Sequence, residues 1–173
     1  MKKYYFLIVF LLALSIKTAG AENGLEAGFI SSFSDYNRIF SEVVKNFPSH
    51  IPLKVNGLKK IKEYDFKSKK PIADKPGVYL RFSFSSYNYL NSNLAREAFN
   101  FYKEEVKNGF YKSPRYMLLQ DHTVYVLDGA CLYSSENWGK IETILKKTIL
   151  GKKDPEQGAV VKIRCGGTFS FSD

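Results

Sequence analysis

Between Gly77 and Cys165 the spacing of apolar residues reads strand, helix, strand, strand, helix, strand, and no other feature limits the fold as much. Val78, Leu80, Phe82 and Phe84 alternate with Tyr79, Arg81, Ser83 and Ser85, the period-2 pattern of a strand with one apolar and one amphipathic face. Asn88, Asn91, Ser92 and Asn93 then break the strand and offer N-cap oxygens. Ala95, Ala98, Phe99, Tyr102 and Val106 recur at helical spacing before Gly109. Tyr116–Leu119 and Thr123–Leu127 are β-prone runs separated by Gln120, Asp121 and His122, which reads as a hairpin without a turn glycine. A second helical stripe, Trp138, Ile141, Ile144, Leu145 and Ile149, follows capping serines at 134 and 135. Ala159, Val161, Ile163 and Cys165 alternate in a last strand.

Two right-handed βαβ crossovers must cover one sheet face if their helices are to share a core. The economical solution is an α+β fold with a ferredoxin-like βαββαβ core. Its sheet is antiparallel, its first and third strands are central, and both helices lie on one face. An α+β meander with another strand order is the competing arrangement.

Residues 1–21 have the form of an export signal. Lys2 and Lys3 precede an uncharged, nearly all-apolar run from Tyr5 to Ile16, and Ala19-Gly20-Ala21 suits cleavage before Glu22. The apolar run is shorter than the roughly 20 residues that span a bilayer, so no transmembrane span is expected in the mature chain. No cysteine follows it to carry a lipid anchor. Removing Lys2, Lys3 and Lys17 lowers Lys+Arg from 26 to 23 against 17 acids, and the net charge from +9 to +6. The expected product is periplasmic or secreted. Its residues 22–76 form an N-terminal extension, and they pack with a core over 77–173 as one domain.

Within that extension, Gly24–Ser32 reads as a flexible lead. Phe33, Tyr36, Ile39, Phe40, Val43, Val44 and Phe47 recur as an added amphipathic helix that Pro48 and Pro52 end. Residues 51–66 suit neither period and read as a strand or irregular hairpin. The lysines and prolines from Phe66 to Gly77 read as an exposed loop. After Gly166-Gly167, residues 168–172 alternate as a short edge strand.

Two cysteines in an exported chain point to a Cys131–Cys165 disulfide. In the expected topology both close the same sheet edge, about 10 Å apart. The segment from Asp128 to Cys131, with Gly129 and Ala130, has to reach across the end of the first strand. His50 and His122 are the only histidines and have no ligand-spaced companion, so no metal and no cofactor are expected. No hydrolase or phosphate-loop motif occurs, and Glu104-Glu105 reads as solvated helix surface.

The remaining feature is the sheet face opposite the two core helices. Alternation assigns it Tyr79, Arg81, Tyr125, Lys162 and Arg164. Aromatic residues flanked by basic ones resemble, in arrangement only, the sheet of RNA-binding RRM domains. That family's glycine–aromatic signature is missing, so nucleic acid is not the expected partner. An anionic envelope polymer or acidic protein suits the same charges. If the 33–47 helix docks on this face instead, Tyr79 and Tyr125 become core. The function expected is a non-catalytic binding or accessory protein of the envelope or extracellular space. A small extracytoplasmic enzyme without a recognisable motif, or a subunit of an envelope assembly, is the alternative.

Overall fold

The computed structural model describes residues 23–44, 53–54, 56–72, 75–108, 113–131, 135–149, 151, 160–165 and 169–172. The export segment, the prolines at 48 and 52, His50 and Gly166-Gly167 lie outside them. The fold is α+β. Helices α1 (Asn23–Ser31), α2 (Ser92–Asn108) and α3 (Ser135–Ile149) pack on a sheet ordered β1-β2-β3-β5-β4-β6-β7, in which every neighbouring pair is antiparallel. The strands are β1 (Tyr36–Val43), β2 (Leu58–Ile72), β3 (Lys75–Tyr89), β4 (Arg115–Gln120), β5 (Thr123–Gly129), β6 (Val160–Ile163) and β7 (Phe169–Ser172).

The six elements expected between Gly77 and Cys165 are present in order, but the ferredoxin-like arrangement is not. There the last strand would flank the first; here β6 pairs with β4. The reason lies outside the core. β2 is 15 residues long and occupies the outer edge of β3, with Ile72 opposite Lys75 and Leu58 opposite Tyr89. The last strand therefore adds beyond β4. The crossovers β3–α2–β4 and β5–α3–β6 now run the same way across the sheet from strands that are antiparallel to each other. Right-handed connections of that kind put their helices on opposite faces.

Two cores result. Phe82, Phe84, Tyr116, Leu118, Tyr125 and Leu127 meet Phe29 of α1 and Trp138, Ile141, Leu145 and Ile149 of α3. Tyr87, Tyr89, Met117, Leu119, Val124 and Val126 meet Ala95, Ala98, Phe99, Tyr102 and Val106 of α2. Both helices on one face is thus corrected to one helix on one face and two on the other.

The N-terminal third also differs from expectation. Within the 33–47 stretch expected as a helix, Tyr36–Val43 form the strand β1. Its Tyr, Ile, Phe and Val side chains favour a pleated surface, and β2 offers it an unbroken eight-residue register from Tyr36–Ser68 to Val43–Ile61. Residues 67–72, expected as loop, continue β2. The helix lies instead in the expected flexible lead. Asn23–Ser31 is a weak helix-forming sequence containing Gly24 and Gly28, and tertiary contacts hold it. Phe29 packs 4.4 Å from Phe84, and Phe33 packs 4.9 Å from Phe82. Buried Glu26 accepts hydrogen bonds from Lys62 Nζ (2.9 Å) and Ser86 Oγ (2.7 Å). The β4–β5 hairpin turns through Asp121 at φ 51°, a left-handed conformation that Asp tolerates better than most residues. That is how the turn closes without glycine.

Candidate functional site

The five residues assigned to one open face do not share one. Register decides this. Arg81 opposes Lys67 on the face that also carries α2, over the part the helix does not cover. Tyr79 lies past an irregularity in the β2–β3 ladder, with Lys67 Nζ 4.5 Å above its ring. Tyr125 opposes Ser86 on the other face and is buried, stacked on Phe84 at 5.9 Å. Lys162 opposes Tyr116 on that same face, and Arg164 follows just past the end of β6. Tyr125 is therefore a core residue. The cover expected from residues 33–47 comes from α1 and α3.

The uncovered part of the α2 face is a groove of about 590 Å³ between Asn37, Ile39, Asp65, Lys67, Arg81 and Asp128. Its charges are mixed in sign. Asp128 is already engaged, accepting from Arg115 Nε, while Arg115 Nη1 donates to the Tyr102 hydroxyl. Burial opposes the Arg115 charge, but the carboxylate outweighs it, and the guanidinium pKa is raised. This network ties α2 to the sheet, so Asp128 has a structural employment that competes with any role as a base.

The basic pair Lys162 and Arg164 stays together at a different place. They line a pocket of about 530 Å³ with Pro114, Ala130, Trp138, Gly139, Cys131 and Cys165. Cys131 and Cys165 form a disulfide with their Cα atoms 5.5 Å apart, the pairing expected from the sequence. β5 and β6 are parallel, as expected for the third and last strands, but they flank β4. The reach therefore passes the start of β4 at Pro114, whose carbonyl accepts from Gly129 N at 3.1 Å, and not the end of β3.

Below the pocket, α3 brings Glu142 against the sheet, where a carboxylate oxygen accepts from Lys162 Nζ. The other carboxylate oxygen, the Trp138 indole N–H and the Tyr116 hydroxyl are buried without a hydrogen-bond partner among the described residues. Burial, with the Glu142 charge adding to it, pushes the Tyr116 hydroxyl pKa up. Among the described residues no acidic side chain lines the pocket itself. Chemically the arrangement can hold an anion between two cations against an indole wall. Among the described residues it contains neither a nucleophile paired with a base nor a group of three His, Cys, Asp or Glu suited to a metal.

Of the residues singled out in the sequence, Lys162, Arg164 and the two cysteines lie together at this pocket. Sequence reasoning missed that Trp138 and Glu142 complete the place. The signal was present, because Glu142 falls four residues after Trp138 and one after Ile141, at the border of an otherwise apolar helix stripe. A carboxylate there has to bring a cation with it. Among the described residues no helix is long and apolar enough to cross a membrane. No family model, curated protein or solved structure matches the chain.

Proposed function

We propose that the chain is exported through residues 1–21 and acts outside the cytoplasm as a non-catalytic binding module. Its disulfide-edged pocket receives an anionic group of an envelope polymer or acidic partner. The observation that carries this reading is the pairing of Lys162 and Arg164 in a pocket that, among the described residues, no acidic side chain lines. Arg164 is exposed and its planar fork suits phosphate or carboxylate. Lys162 is partly committed to Glu142, which fixes its position without removing it from the wall. The disulfide supports an oxidising compartment.

Trp138 is the one tryptophan in the chain, and it lines this pocket, so ligand binding there should be read in its fluorescence. Titration of the mature chain with polyphosphate and with polyglutamate should shift that emission saturably. Arg164→Glu should remove the response without changing thermal stability. A preference between the two polymers distinguishes phosphate from carboxylate ligands. Unchanged emission with both, or a response indifferent to Arg164→Glu, refutes the reading. N-terminal sequencing of the exported chain should begin at Glu22.

A further inference from the structure

β1 is the outer strand of the sheet, with β2 on one side. Ile39, Phe40 and Val44, on this strand or one residue past it, are 72%, 51% and 52% exposed. Edge strands are ordinarily blunted by proline, charged side chains (lysine above all), a bulge or very short length, and β1 carries of these only Arg38 and Glu42, of opposite sign. β1 runs eight residues without proline, glycine or lysine, and its register with β2 contains no bulge. Its outer edge is a row of backbone donors and acceptors flanked by Arg38, Phe40 and Glu42 on one face and Asn37, Ile39 and Ser41 on the other.

We propose that this edge pairs antiparallel with β1 of a second copy, about a two-fold axis at Phe40. The sequence supports one register over its neighbours. A two-fold axis normal to the sheet makes one residue oppose its own copy. With Phe40 in that position, Arg38 opposes Glu42 of the second copy, and Glu42 opposes its Arg38. All three residues share a face, since they oppose Phe66, Tyr64 and Lys62 on β2. The pattern cation, aromatic, anion therefore meets its own complement. Centring on Ile39 sets Arg38 against Phe40, and centring on Ser41 sets Phe40 against Glu42, so both lose the charge pairs. On the opposite face the Phe40 register sets Ile39 against Ser41 and Asn37 against Val43, with no like charges. Arg38 and Glu42 are both exposed. Arg38 stands 6.0 Å from the Tyr64 ring centroid, and Glu42 stands 3.7 Å from Lys60 Nζ. The edge is at the far end of the sheet order from the β6 pocket and does not depend on it.

Sedimentation of the mature chain across a concentration series tests this directly. A reversible dimer is expected. Arg38→Glu and Glu42→Arg should each weaken it roughly tenfold, because two attractive pairs per dimer become repulsive. The double variant should recover the original association. The only two cysteines are already bonded to each other, so an introduced cysteine is the sole thiol. Phe40→Cys should form a disulfide-linked dimer on oxidation, because opposed Cα atoms lie about 4.5–5.5 Å apart. Ile39→Cys should not, since its own copy is a diagonal neighbour at about 7–8 Å. The proposal is overturned by a chain that stays monomeric throughout, including one that takes up a foreign extended peptide on this edge. A dimer indifferent to both charge reversals overturns it as well.

Discussion

Replacing Glu26 with alanine should loosen the whole α1 layer. Glu26 is 5% exposed, and both of its carboxylate oxygens are occupied, one by Lys62 Nζ at 2.9 Å and one by Ser86 Oγ at 2.7 Å. Removing the carboxylate strands an ammonium whose side chain is only 12% exposed. Breaking a buried pair from one side costs about 3–5 kcal/mol. The residual access of water to Lys62 places the charge term near the lower end, and the lost Ser86 bond adds about 1 kcal/mol. The expected loss is about 3–4 kcal/mol, or roughly 6–16 °C in Tm for a chain of this length. Glu26→Gln keeps an acceptor for Ser86 and should cost about 2 kcal/mol. Glu26→Leu combined with Lys62→Met removes both charges, and its effect should be far smaller than the sum of the single changes. Denaturant unfolding read by Trp138 fluorescence measures each of these variants and the two single changes, because Trp138 shares its core with Phe29 of α1. A loss below about 1 kcal/mol for Glu26→Ala, or simple additivity in the double variant, would refute the reasoning.

Gly129→Ala should destabilise by about 1–3 kcal/mol and shift tryptophan emission, since the new Cβ would lie 2.9 Å from Trp138 Cε3 and closer still to Cζ3. Unchanged emission would show that the ring is not seated there. Opening the Cys131–Cys165 disulfide by a double serine substitution releases a loop of sequence separation 34, for which about 3–4 kcal/mol is expected. A shift under about 1 kcal/mol would mean that the unfolded chain is not what the bond restrains. Stability should fall steeply above about pH 10. Burial raises the Tyr87, Tyr89 and Tyr116 hydroxyl pKa values. Burial lowers that of the Lys62 ammonium, but Glu26 outweighs it and the net shift is upward. Each folded pKa thus exceeds its unfolded value, so this stabilisation is complete below about pH 10 and is lost as pH climbs through the folded values. Urea midpoints that stay level to pH 11 would contradict this.

The stretch from Gly77 to Cys165 was legible because its helices and strands carry strong, separate periods, and β3, α2, β4, β5, α3 and β6 follow them closely. The N-terminal stretch was not, for two opposite reasons. β1 has apolar residues at helical spacing, yet a 15-residue neighbour supplies a full ladder of backbone partners, and pairing overrides the period. In α1 the local sequence argues against a helix, with two glycines in nine residues. An ion pair to a residue 36 positions away and two phenylalanines on the sheet select the helix nevertheless. Neither partner is visible in a local window.

The five residues assigned to one face are not gathered on it, for a reason that begins with the same long strand. Assigning Tyr79, Arg81, Tyr125, Lys162 and Arg164 to one face assumed a sheet covered on one side only, in which every outward residue points to one surface. Once β2 claims the edge of β3, the last strand must go past β4 and its helix must go to the other face. The sheet then has two buried faces, as the run of buried residues on both sides of β3 from Phe84 to Tyr87 shows. Alternation still gives each residue's parity correctly, but parity no longer means exposure. What survives is the pair whose position depends on one strand alone. Lys162 and Arg164 are two residues apart at the end of β6, beside the cysteine that closes it. Cross-strand register cannot separate residues on the same side of the same strand, which is why the pocket at the disulfide retains them while Tyr125 is lost to the core.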